Sequence, residues 1–222
     1  TYVFAGEILH RDSLVHVQPI RPNEINWMTA GKGIAHSERT SPGLRQQGQT
    51  LEALQLWVAL PQEDQQSEPF FNHYDDSQLP LIEAESKKIR VMIGEAFGVK
   101  SAVKTHSPTL YVEAQLEAGA RILVPNDVEE RAVYVMSGGL LAKETPIPFH
   151  TMAIFDQTPE IELIATEATR LVFIGGSPLG KRTVWWNLVS SRKDLIEQAK
   201  QDWLAGTFPK VPGETDFIPL PD

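Results

Sequence analysis

WMTAGKGIAHSE, residues 27–38, is the segment from which the rest of the chain can be read. It opens as the end of a strand, turns through Gly31 and Gly33, and then presents His36 and Glu38. In an extended segment alternate side chains share a face, so this spacing sets an imidazole beside a carboxylate. Such a pair is half of a metal site, an acid–base couple, or a histidine held in place by a carboxylate.

Upstream, residues 1–4 read as a strand closed by Gly6, and 7–11 carry it outward to the turn at Asp12-Ser13. Residues 14–20 form the next strand, with Val15 and Val17 on one face and His16 and Gln18 on the other, so His16 points to solvent. Arg21-Pro22-Asn23-Glu24 is a turn, and 25–28 return to the core. Downstream, 40–49 are polar and carry Pro42, Gly43 and Gly48, a loop. Residues 54–60 alternate with both faces largely apolar, which predicts a strand between packed layers. Residues 62–80 are a long acidic loop whose Phe70, Phe71 and Tyr74 pin it to the body or cover a cavity mouth.

Residues 88–94 are a strand, and 95–108 link two halves. Strands then follow closely at 110–116, 121–124, 131–136, 151–155, 161–165 and 171–174, separated by Gly, Pro and Asn turns, the cadence of a sandwich or jelly roll. The carboxyl end differs. Ser191-Arg192-Lys193-Asp194 reads as a capping box opening a helix. Leu195, Ile196, Ala199, Trp203 and Leu204 form its apolar stripe, and Gly206 stops it. Residues 217–221 hold two prolines, which suits a clamp across a surface and not a central strand.

The chain has 222 residues, enough for one large or two modest domains, and a formal charge of -9 from 20 basic and 29 acidic residues. That balance argues against nucleic acid or an anionic membrane as partner. Without cysteine there is no thiolate nucleophile or disulfide framework, and no apolar run is long enough for a membrane span. These features suit a cytoplasmic protein. The sequence opens without Met and already in a strand pattern, so the natural protein is expected to extend further upstream.

EILHRDS at 7–13, NWMTAGKGIAHSE at 26–38, LQLWVALP at 54–61, GGSPLGKRTVWWNLVSS at 175–191 and DWLAGTFPKVPGE at 202–214 together resemble the pirin family of cupins, across nearly the whole chain. The resemblance implies an all-β bicupin, two face-to-face jelly-roll β-barrels with a C-terminal helix. Its domains fall at 1–94, 95–180 and 181–222, the last packing back on the barrels. It implies one metal ion, iron(II), in a three-His, one-Glu site of the first barrel, with His36 and Glu38 as two ligands and as the catalytic residues. The other two ligands belong to an HxH segment that the family places ahead of Thr1. The activity implied is that of a quercetin 2,3-dioxygenase opening flavonol-like aromatics. The alternatives are a redox-sensitive regulator that binds a protein partner through the loop at 62–80, or a relative without metal. Asn23-Glu24 stands where the family shows Gly-Asp, and residues 184–191 replace a GPFVMN-like segment. Both departures bear on the substrate more than on the fold.

Around the pair, Gly31 and Gly33 either allow close backbone approach near the metal or simply turn the chain. His10 backs the ligands or, more plainly, pairs with Asp12 at the surface. Glu52 and Gln55 are placed to hydrogen-bond a ligand imidazole. Trp27, Met28, Leu56 and Trp57 read as barrel filling, and His73 as exposed. His106 and His150 stand alone, so the second half is read as metal-free. The GGSPLG run lacks the Lys-Ser ending of a phosphate loop and is a turn.

Overall fold

The computed structural model describes residues 1–221. Strands dominate, and two compact units divide the chain: Thr1–Asp76 together with the chain from Leu179 onward, and Ser77–Pro178. The first unit begins with β1 (Tyr2–Ala5), β2 (Ile8–Asp12), β3 (Val17–Ile20), β4 (Ile25–Thr29) and β5 (His36–Arg39). A short helix α1 (Pro42–Gln47), β6 (Glu52–Leu54) and β7 (Phe70–Tyr74) follow. The second unit holds β8 (Leu81–Ala84), β9 (Lys87–Ile93), β10 (Glu95–Ala96), β11 (Val99–Lys100), β12 (Thr109–Leu116) and β13 (Arg121–Leu123). It continues with β14 (Glu130–Ser137), β15 (Gly139–Ala142), β16 (Thr145–Pro148), β17 (Met152–Phe155), β18 (Glu162–Ala165) and β19 (Thr169–Gly176). The chain then re-enters the first unit as β20 (Thr183–Trp185), β21 (Leu188–Ser190) and helix α2 (Lys193–Ala205).

In the first unit one sheet has the order β6-β1-β4-β7 and another β3-β2-β5. Tyr2, Val3, Ile20 and Ile25 are its most deeply buried apolar side chains, each worth about 2 kcal/mol by removal from water. In the second unit a six-stranded sheet, β17-β14-β19-β12-β9-β8, faces a four-stranded one, β13-β18-β15-β16. Their inward side chains, among them Val91, Val112, Val133, Leu140, Leu163, Leu171 and Phe173, make a single core. No helix among the described residues is long and apolar enough to cross a membrane.

The divide between units differs from the junction expected after Gly94. β9 pairs with both β8 and β12, and these ladders draw the chain from Ser77 into the second unit. The chain from Leu179 onward folds with the first unit.

Several local expectations also change. Of residues 54–60 only Leu54 lies in a strand: β6 stops where Leu54 pairs with Tyr2, and Trp57 and Val58 are exposed. Apolar alternation alone does not hold a strand without a hydrogen-bonding neighbour. The polar loop 40–49 contains α1, opened by Pro42 in its first turn. β7 emerges inside the acidic loop because Phe70–Tyr74 pair along the whole of β4. The β15–β16 hairpin was masked by Pro146 and Pro148, which sit on an edge strand where no ladder donor is required. Val15 and Val17 do not face a core: Val15 occupies the turn at φ 68, and both are exposed.

Helix α2 ends as its sequence predicts, with Gly206 left-handed and its amide on the carbonyl of Trp203. Its start does not. Arg192 is the N-cap with no side-chain cap bond, because the Ser191 hydroxyl is engaged with Gln65 and the Ser190 hydroxyl accepts the Arg192 amide. Ile196 is buried, whereas Leu204 is exposed and lies outside the apolar stripe.

Candidate functional site

The site is built on the pairing of β2 with β5. Along β2 the burial alternates, with Ile8, His10 and Asp12 inward. The antiparallel register sets His10 opposite Glu38 and Asp12 opposite His36. Residues directly opposite share a face, so His36 and Glu38 stand over His10 and Asp12. Ser37 and Arg39 point the other way.

Glu38 is held from two sides. Its Oε1 accepts the Thr1 hydroxyl at 2.9 Å, and its Oε2 accepts the Gln55 amide at 2.6 Å. Gln55 also donates to Thr1 Oγ1 at 3.1 Å, closing a small network around the carboxylate. Gln55 thus serves the carboxylate and not an imidazole, and Glu52 is exposed at the start of β6. Neither Thr1 nor this arrangement is visible in local sequence, because Thr1 lies beside β1 and meets Glu38 of β5 only where two separate sheets come together.

His36 keeps an exposed ring edge, yet the surrounding atoms desolvate it. Burial pushes its pKa below the ordinary histidine value, outweighing the opposite pull of the Glu38 carboxylate. The ring is therefore neutral at pH 7, the form that has a free lone pair.

His10 is buried, not a surface residue, although it does pair with Asp12, with Nε2 3.2 Å from Oδ2. Its ring stacks on Phe71 with centroids 4.4 Å apart and on His36 at 5.7 Å. Its buried Nδ1 lacks a hydrogen bond and lies 4.0 Å from Glu38 Oε1. Phe71 comes from β7, in the stretch read as a polar loop, and also packs on His16 at 5.0 Å. Asp12 is enclosed. Its Oδ1 accepts the amides of Leu14 and His16, and its Oδ2 lies 3.0 Å from His16 Nδ1. Burial would raise the Asp12 pKa, but the His16 amide and the two imidazoles outweigh it and hold the carboxyl below its usual range.

His16 is thus tied back to Asp12 and does not simply face solvent. His73, expected to be exposed, is half-buried with Nδ1 2.9 Å from Asn26 Oδ1. Trp27 and Met28 are half-buried, but Trp57 is exposed and fills no core. Gly31 and Gly33 serve the chain itself. A Cβ on Gly31 would lie 2.1 Å from the Ser67 carbonyl oxygen, and one on Gly33 would lie 3.1 Å from the Phe208 ring.

His36 and Glu38 are suitable donors for a divalent first-row metal, but among the described residues no three His, Asp or Glu side chains are placed to hold one. The pair fits two positions of a shell and no more.

Comparison with known proteins places this geometry in a family. The Pirin model matches residues 1–58, and the Pirin C-terminal cupin domain matches residues 111–209. A pirin-like protein of Caulobacter vibrioides is 44% identical over 225 residues, covering 100% of this chain and 77% of its own length. A pirin-like protein of Solanum lycopersicum is 31% identical, covering 93% of this chain and 72% of its own length. Among solved structures, quercetin 2,3-dioxygenase from Acinetobacter baumannii superposes with a TM-score of 0.90 at 28% identity, covering 100% of this chain and 74% of that one. The fold is that of an all-β bicupin with a C-terminal helix. The chain belongs to the pirin family.

Proposed function

We propose that this protein is a metal-dependent dioxygenase of the quercetin 2,3-dioxygenase type, acting in the cytoplasm on flavonol-like aromatics with iron(II) as cofactor. His36 and Glu38 supply two of the metal's protein donors. The observation that carries the reading is their shared face over buried His10, with both Glu38 oxygens already anchored. The remaining donors, in the family pattern, come from histidines ahead of Thr1. Within this chain, the Thr1 hydroxyl donates to Glu38 and holds the carboxylate in place. A bound divalent metal of this kind supplies open positions for an oxygen substituent of the substrate and for dioxygen.

The chain's own residues orient and exclude. Thr1 and Gln55 fix the carboxylate of Glu38, and the stacked His10 and Phe71 rings fill the space beneath His36. The neutral state of His36 leaves its lone pair available at pH 7. The test is iron content and quercetin-dependent oxygen uptake of the protein expressed from its gene, for wild type, H36A and E38A. Iron near one equivalent in the wild type and lost in both variants is expected. Equal iron in all three overturns the assignment.

A further inference from the structure

We propose that Glu214 is a positioning residue for the site, with the carboxyl-terminal tail acting as a strap that holds β5 from behind. The proposal rests on the reading of His36 and Glu38 as the functional pair, and concerns what keeps them on their common face.

β5 is short and lies at the edge of its sheet, with β2 as its only strand partner among the described residues. Edge strands of this length open readily unless something covers them. Here the tail reaches the outer face of β5, chiefly through the Glu214 carboxylate. Ser37, between His36 and Glu38, donates its hydroxyl to Glu214 Oε1 at 2.8 Å. Arg39 Nε, next along the same outer face, is 2.9 Å from Glu214 Oε2, an ion pair not aligned as a hydrogen bond. Arg11 of β2, the register partner of Ser37, lies 3.6 Å from Glu214 Oε1. One side chain therefore ties both strands from the face opposite the site. Arg39 has a second tail partner, donating to Asp216 at 2.9 Å.

The tail is itself fixed on both sides of Glu214. Before it, Phe208 packs on Trp203 with centroids 5.5 Å apart and covers Gly33, in the turn that leads into β5. After it, Phe217 stacks on the same Trp203 at 5.4 Å, and Trp203 Nε1 donates to the Ile218 carbonyl at 2.9 Å. Between these anchors Gly213 turns at φ 81, and the Glu214 amide returns to the Val211 carbonyl. That turn presents the carboxylate to β5. The tail's prolines limit its conformational freedom, and its acidic residues Glu214 and Asp216 carry charge to Arg11 and Arg39.

The experiment uses the 222-residue chain, treated with chelator, as wild type, E214A and E214Q. Amide exchange is read across β5, β1 and β4, together with the ring carbon NMR signals of His36. In E214A, β5 exchange rises about tenfold, as expected for the loss of one charge-assisted hydrogen bond together with two ion pairs. The His36 ring signals shift or double, while β1 and β4 are unchanged. E214Q keeps an acceptor for Ser37 and falls between. Unchanged His36 signals in E214A, or exchange rising equally in β1 and β4, overturns the positioning role. Because these signals need no metal, a failure of iron binding overturns the functional reading and leaves this one standing.

Discussion

Replacing Asp12 with Asn tests whether the network beneath the site holds the first unit together. The side chain has no exposed surface, and its two oxygens meet two amides and two imidazoles. Asn retains an acceptor for the amides of Leu14 and His16. It loses the charge, and it turns an NH2 group toward the ring nitrogens of His10 and His16. Hydrogen bonds to a charged group contribute about 1.5–3 kcal/mol each, and a buried ring nitrogen left without its acceptor adds to the loss. The expected cost is about 3 kcal/mol at pH 7. The assay is urea unfolding followed by tryptophan fluorescence. All five tryptophans, Trp27, Trp57, Trp185, Trp186 and Trp203, fall in the first unit, so the signal reports that unit alone. The sign with pH follows from the folded carboxyl being held below its usual range. Its contribution is complete above the unfolded value, about 3.9, and is lost as pH falls through the lower folded value. The gap between wild type and D12N therefore narrows as pH falls below about 4. A gap under about 1 kcal/mol at pH 7, or one that persists unchanged into acid, refutes the reasoning.

Three further substitutions probe the backbone and the second unit. G31A drives a Cβ into the Ser67 carbonyl, whereas G48A at φ 78 meets nothing within 4 Å. G31A is expected to cost about 3 kcal/mol against about 1 for G48A, by the same fluorescence-detected unfolding, and equal costs count against the close approach. Arg131 is buried and donates to the carbonyls of Pro125, Asp156 and Thr158. R131M leaves those carbonyls unpaired and is expected to cost about 3 kcal/mol, with faster amide exchange in β14 and β17; exchange as slow as in the wild type contradicts this.

What could be read from the sequence and what could not separates by the range of the interactions. Strands β9, β12, β13, β14, β17, β18 and β19 were legible because each is a short apolar run bounded by its own Gly, Pro or Asn turn, whereas β15 and β16 were hidden by prolines on an edge strand. His36 and Glu38 were legible as neighbours because period-2 geometry is local. Residues 54–60 misled for the converse reason: their alternation is that of a strand, but a strand exists only where another hydrogen-bonds to it, and β1 meets β6 no further than Leu54. The burial of His10 depends on Phe71 arriving from β7 and on a register that sets it against Glu38, neither encoded near residue 10. Glu214 is the extreme case, bonded to Ser37 across most of the chain. The same distinction bears on function. A short motif supplies the imidazole and the carboxylate, but residues that contact them only after folding determine their orientation. A relative that keeps GKGIAHSE and changes Gln55, Phe71 or Glu214 would thus keep the imidazole and the carboxylate while losing contacts that set their geometry.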